Sequence, residues 1–163
     1  MNYFLKTVAA SAVGFGIVFV AANFIQAQTS PKPAPQSSAL NKTHRIVIQV
    51  TQNDPAVMNM ALNNGENLAK FYKDKGEPTE IEFVAYGAGL NMVRSDTSPV
   101  KERLLAMTGA MKNVSFAGCG NTMATQSKQE NKNITLVPEA HSVPSGIARV
   151  VELEEQGWTY VRP

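Results

Sequence analysis

A chain of 163 residues has the length of one ordinary domain. Its 15 basic against 13 acidic residues leave too little positive charge to hold nucleic acid by its phosphates, and a hydrophobic fraction of 44% excludes a wholly disordered chain. One cysteine, Cys119, and two histidines, His44 and His141, exclude a disulfide framework and multi-cysteine metal sites, and argue against a histidine-rich one.

Thr7 to Pro31 carries no charge, and Val8 to Ala22 is almost continuously apolar behind Lys6. That is the shape of a secretory signal peptide over residues 1–27, with cleavage expected after Ala27. Ile25 is large for its place before that site. With Phe24 and Ile25 included, the apolar run reaches about 18 residues, enough to span a bilayer, so an uncleaved anchor is the alternative. Cleavage implies a periplasmic or secreted protein; retention implies one anchored to the inner membrane and facing outward. A membrane partner is expected only in the second case. Gln28 to Thr43, with prolines at 31, 33 and 35, offers little to bury and reads as an extended tether or a frayed mature terminus.

His44 to Pro163 is the expected folded core. Lys6, Lys32 and Lys42 precede it, leaving 12 basic and 13 acidic groups, a net of −1. No nucleic-acid partner is expected of it. Arg45–Val50 is a β-branched run and predicts a first strand. Asp54-Pro55 then opens a helix reaching about Lys73, with Val57, Ala61, Leu68 and Phe71 on one face. Glu80–Tyr86 alternates acidic and apolar residues and predicts a strand with one face less buried. Ser98-Pro99 opens a helix that turns Val100, Leu104, Met107 and Met111 inward. Val114–Ala117 predicts a third strand, Asn121–Gln126 a short helix and Ile134–Val137 a fourth strand. Gly146 to about Gln156 is a last helix with Ile147, Val150 and Val151 inward, and Trp158–Arg162 a fifth strand. Strand–helix alternation predicts a mostly parallel sheet of about five strands covered on both faces. The expected core comprises Ile46, Ile48, Val50, Leu68, Phe83, Leu104, Phe116, Leu136, Val150 and Trp158.

In such a sheet, reactive groups collect beyond the carboxyl ends of the strands. Asn53 and Asp54 fall there after the first strand, and Tyr86, Gly87, Gly89 and Asn91 after the second. Cys119, Asn121 and Thr122 follow the third, and Glu139 and His141 the fourth. The thiol precedes a helix start, whose free N–H groups favour a thiolate. Gly118 and Gly120 beside it would let another molecule approach closely. The competing reading is an inert cysteine that packs as a small hydrophobe. His141 would assist Cys119 only if its turn folds toward the third strand; otherwise it is a solvated loop residue. Gly87 and Gly89 give G-x-G without the third glycine, because position 92 is Met, so a tight turn is expected and no phosphate loop. The methionines fall at core spacings, and Glu152, Glu154 and Glu155 read as a solvated helix face.

Three motifs carry a resemblance: Tyr86-Gly87-Ala88-Gly89-Leu90, Cys119-Gly120-Asn121-Thr122-Met123 and Gln156-Gly157-Trp158-Thr159-Tyr160. With the surrounding His44–Pro163 sequence they resemble the exported branch of the DsrE/DsrF-like sulfur-relay family. The resemblance implies a three-layer α/β/α Rossmann-like domain that assembles into homo-oligomers. It also implies that Cys119 carries sulfur as a persulfide between donor and acceptor proteins, in a sulfurtransferase-like role needing no cofactor and no metal. Glu139–Pro144 (EAHSVP) is longer than the turn expected there. The alternative function is a small-ligand-binding or oligomeric structural module with an inert cysteine.

Overall fold

Five strands and four α-helices alternate along residues 42–163, which this computed structural model describes. The signal or anchor segment and nearly all of the tether, residues 1–41, lie outside the described residues. Among the described residues, no helix is long and apolar enough to cross a membrane. The strands are β1 (His44–Val50), β2 (Thr79–Ala85), β3 (Val114–Cys119), β4 (Ala140–Val143) and β5 (Thr159–Val161). The helices are α1 (Pro55–Asp74), α2 (Lys101–Ala110), α3 (Gly120–Glu130) and α4 (Gly146–Glu155), with a 3-10 segment at Gly87–Val93. All strands are parallel, in the order β4-β3-β2-β1-β5.

This order dictates the layers. The connections β1→β2→β3→β4 step in one direction, whereas β4→β5 returns across the whole sheet. Right-handed crossovers in opposite directions put their helices on opposite faces. On one face α1, α2 and the 3-10 segment bury Met58, Leu62, Leu90, Met92 and Leu104 against Ile48, Phe83 and Phe116. On the other, α4 alone lays Val150 and Leu153 on Val47, Val84, Ala117 and Val143. The result is a three-layer α/β/α Rossmann-like domain.

The first face is centred on Phe83 and Phe116, direct partners on β2 and β3 whose rings stack at 4.9 Å. Each is fully buried, which stabilises the fold by about 1.5–3 kcal/mol per side chain. Helix α1 approaches so closely that a Cβ on Gly65 would stand 2.5 Å from Phe83 Cζ.

Several expectations need correction. The fourth strand is Ala140–Val143, where a long turn was expected, and not Ile134–Val137. Ile134 and Val137 are apolar because they plug the α1 face of the core, while their stretch of backbone makes one antiparallel bridge, Leu136 to Arg94. The true β4 is an edge strand with His141 and Ser142 exposed, so it lacks an apolar run. Helix α1 buries Met58, Ala61, Leu62 and Gly65, leaving Phe71 exposed beside Tyr72 and beneath the Lys75 ammonium. In α4 the inward stripe is Gly146, Val150 and Leu153; Ile147 and Val151 face outward. Leu68, Leu136 and Trp158 are only partly buried. Strand β2 is buried at every residue except Glu80, and its Glu82 is 3% exposed.

Substituting Gly65→Ala tests the α1 contact. The new methyl gains about 1 kcal/mol of helix propensity but strikes a ring pinned by its stacked neighbour, and overpacking costs about 1–3 kcal/mol. The expected outcome is a net loss of up to about 2 kcal/mol, read as a lower urea midpoint at unchanged slope.

Candidate functional site

Strand alternation turns the side chains of Ser115, Ala117 and Cys119 toward α4. Cys119 ends β3 and is also the N-cap of α3, its Sγ accepting the Thr122 N–H at 3.5 Å. In the sheet register it is the partner of Val143, the last residue of β4. From there Pro144 and Ser145 lead directly into α4, and the Pro144 carbonyl accepts the Asn121 N–H at 3.2 Å. Ser145 caps α4 by accepting from the Ala148 N–H at 3.4 Å. The starts of α3 and α4 therefore meet at one sulfur.

Burial, the largest single influence, pushes the Cys119 thiol up. Against it stand the Thr122 side chain and the backbone N–H groups of Gly146, Thr122 and Asn121. Together these donors win, and the thiol is held below its ordinary value of 9.0. The residue is 5% exposed.

The flanking glycines serve packing rather than access. A Cβ on Gly118 would stand 2.8 Å from both methyls of Leu136, and one on Gly120 3.2 Å from the Val143 carbonyl. No open path to the sulfur results from them, because Leu136 and β4 fill the space. Gly146 is equally constrained, since its Cβ would meet the Tyr86 ring at 2.8 Å.

Tyr86 thus belongs to the site, its ring against the start of α4. Its hydroxyl accepts from the Gln49 side-chain amide, whose carbonyl accepts in turn from the Tyr160 hydroxyl. Gly87 turns the chain at φ +57°, a conformation that favours glycine, and its N–H donates to Thr122 Oγ1 at 3.1 Å. Gln126 on α3 donates to the Gly87 carbonyl at 3.3 Å. A Cβ on Gly89 would come 2.3 Å from the Val50 carbonyl oxygen, so this turn lies directly on β1. The Gly87–Gly89 pair makes a tight turn, as its spacing suggested.

Other expected residues are employed elsewhere. Asp54 caps α1 through the Ala56 N–H at 2.7 Å. Asn53 accepts from Asn91 at 2.7 Å, and the two line a cleft of about 410 Å³ with Ala88, Thr97, Gln126 and Gln129. Cys119 does not line that cleft. His141 lies on β4 and not on a loop, with Nε2 3.9 Å from Glu82 Oε1, while Glu139 precedes the strand. Among the described residues, no three His, Cys, Asp or Glu side chains are grouped to hold a metal ion.

Three elements escaped the sequence reading. The nearness of the α4 start to Cys119 is one, although the helix itself was expected from Gly146. The second is the ion pair of Arg149 with buried Glu82, two charge-assisted hydrogen bonds of 2.8 and 2.7 Å. The third is Arg94, 5% exposed, which donates to Asp96, Glu130 and Gln126, with Lys132 bridging both carboxylates. Arg94, and after it Lys132, pull the Glu130 carboxyl down to about 2 and Asp96 well below its usual range.

Fold and site together define a Rossmann-like α/β/α domain with a helix-capped thiol at the carboxyl edge of its sheet. The chain is similar to a solved structure described as a protein of unknown function, MTH1491 from Methanobacterium thermoautotrophicum. Identity is 28%, the match covers 74% of this chain and 99% of that one, and the TM-score is 0.63. No protein-family model and no curated protein sequence matches the chain.

The Arg94 cluster predicts an acid dependence. Both carboxylates are depressed in the folded state, so their contribution is complete above the unfolded carboxylate range of about 4. It disappears as pH falls from there toward the Glu130 value of about 2. Arg94→Met is expected to lower stability at neutral pH and to flatten this acid limb. Urea unfolding across the acid range measures both.

Proposed function

We propose that this domain is an exported sulfur carrier of the DsrE/DsrF-like kind, in which Cys119 holds a sulfane sulfur as a persulfide. The observation that carries the reading is a thiol that caps α3, its Sγ accepting the Thr122 N–H at 3.5 Å, with the start of α4 following directly on its β4 partner Val143. A thiolate held this way is ready to attack without a general base.

The step balances simply. The Cys119 thiolate attacks the terminal sulfur of a polysulfide or a donor persulfide, forming one S–S bond as the donor's S–S bond breaks. The electron pair leaves on the shortened donor, and Cys119 carries the terminal sulfur as a perthiolate. An acceptor thiolate then attacks that sulfur and releases the Cys119 thiolate, so no external oxidant or reductant takes part. At 5% exposure, Cys119 meets a donor only when the Pro144-Ser145-Gly146 passage gives way. Exposed Ile147 and Val151 on α4, next to that passage, support a partner surface, for another copy of the chain or for a donor or acceptor protein.

One observation favours a second reading. The polar cleft beside Asn53 and Asn91 is open while the sulfur is nearly sealed, as in a small-ligand module whose cysteine only packs.

Incubation of the purified protein with polysulfide separates the two. Under the carrier reading, intact mass rises by one sulfur atom, thiol reductant reverses the gain, and Cys119→Ser abolishes it. Wild-type protein without the gain, or a serine variant that gains equally, leaves the ligand-module reading.

A further inference from the structure

Glu82 has no part in the sulfur chemistry, yet it is the buried carboxylate of the α4 face. A carboxylate taken from water costs several kcal/mol unless its partner geometry is good. Here Arg149 supplies that geometry, with Nε on Oε1 at 2.8 Å and the terminal nitrogen on Oε2 at 2.7 Å. Arg149 lies in the first turn and a half of α4, and its own N–H donates to the Ser145 carbonyl at 2.9 Å. Gly146, the first residue of α4, therefore lies in the turn that Arg149 ties to β2 through Glu82. On its other side Gly146 abuts Tyr86, so the helix start has no room to drift inward.

We infer that Glu82 and Arg149 are positioning residues for Cys119: their ion pair fixes the first turn of α4, which begins beside the sulfur because Val143 pairs with Cys119 and the Pro144 carbonyl accepts the Asn121 N–H. Among the described residues α4 is the one helix on this face; its start follows Val143 and the Asn121–Pro144 hydrogen bond, and beyond the pair its body is held by Val150 and Leu153. Nonpolar contacts permit sliding along the sheet; a two-bond fork does not. The inference rests on the reading of Cys119 as the working thiol, but its test does not require sulfur loading. The charged groups facing the pair are few. His141 reaches from β4 to within 3.9 Å of Glu82, and Glu152 on α4 stands 4.0 Å from Arg149.

The experiment is the pH dependence of Cys119 alkylation by iodoacetamide, measured on folded wild-type, Glu82→Gln and Arg149→Gln proteins. If the pair acts by holding α4, both variants raise the midpoint, since either change loosens the helix start. The midpoint then rises by about half to one pKa unit, read from the pH at half-maximal rate and not from the rate itself, because a loosened helix start also admits the reagent more readily. A direct charge effect would instead move the midpoints in opposite directions, because one variant removes a negative and the other a positive charge. A merely structural pair would lower the melting temperature and leave the midpoint in place. Either of those results overturns the inference. Arg149→Lys, which keeps the charge and one hydrogen bond, is expected to fall between wild type and Arg149→Gln. Arg45→Ala, which breaks the exposed pair with Glu80, is expected to change nothing. Polysulfide loading in parallel keeps the two ideas separate: a shifted midpoint in a protein that never loads would retain the positioning and remove the carrier function.

Discussion

The return of the chain from β4 at one edge of the sheet to β5 at the other governs the rest of this structure. It forces one long crossover on the face that the earlier helices leave free, and that crossover must begin at the carboxyl end of β4. Because β4 pairs with β3 so that Val143 stands opposite Cys119, the new helix starts beside the thiol. The neighbouring helix α3 starts there too, because β3 ends at the same level. Two helix starts at one sulfur are thus a consequence of strand order and register together. A one-residue slip between β3 and β4 would turn Cys119 and Val143 to different faces and dissolve the arrangement.

Two buried charged groups tie helices to the rest of the fold. Arg94 ties the end of the 3-10 segment to the last turn of α3 through Glu130 and Gln126, while Glu82 ties β2 to α4 through Arg149. Each satisfies its partners with several hydrogen bonds, the condition under which a buried charge is tolerated. Hydrophobic residues of similar volume would pack as well and resist heat as well, but would not define where a helix sits along its axis. The Glu82–Arg149 pair holds the helix that starts beside Cys119, the Arg94 cluster holds the far end of α3, and the central sheet rows at Ile48, Phe83 and Phe116 pack through apolar contacts.

The layer architecture was legible in the sequence because β-branched runs, Asp54-Pro55 and the Val100–Met111 stripe each follow one local rule. The misplaced fourth strand had a different origin. Ile134 and Val137 look like a strand because they are buried, but burial comes from plugging the α1 face, whereas Ala140–Val143 pairs at an exposed edge and needs no apolar signal. Periodicity reports solvent contact and not hydrogen bonding, so an edge strand beside an apolar plug inverts the expectation. Glu82 misled for the same reason: an acid in alternation reads as exposed, and only the distant Arg149 makes its burial possible. Cys119 itself was legible from its position before a helix, whereas the contribution of Gly146 needed the pairing of β3 with β4.

Burial and helix-start donors pull the Cys119 thiol in opposite directions, and under the proposed function this opposition suits transfer better than either influence alone. A thiolate stabilised without limit becomes a poor nucleophile, since nucleophilicity falls with pKa. One buried without donors stays protonated and does not attack at all. Under the proposed function the same geometry also distinguishes the empty from the loaded state. An S–S bond is roughly 2 Å long, so the charge of a perthiolate lies that much farther from the Asn121, Thr122 and Gly146 N–H groups than the charge of the thiolate. Donors that weaken over such a distance hold the resting sulfur more firmly than the loaded one. Under that function, return of the negative charge to Sγ as an acceptor takes the outer sulfur is favoured by the positions at which α3 and α4 begin.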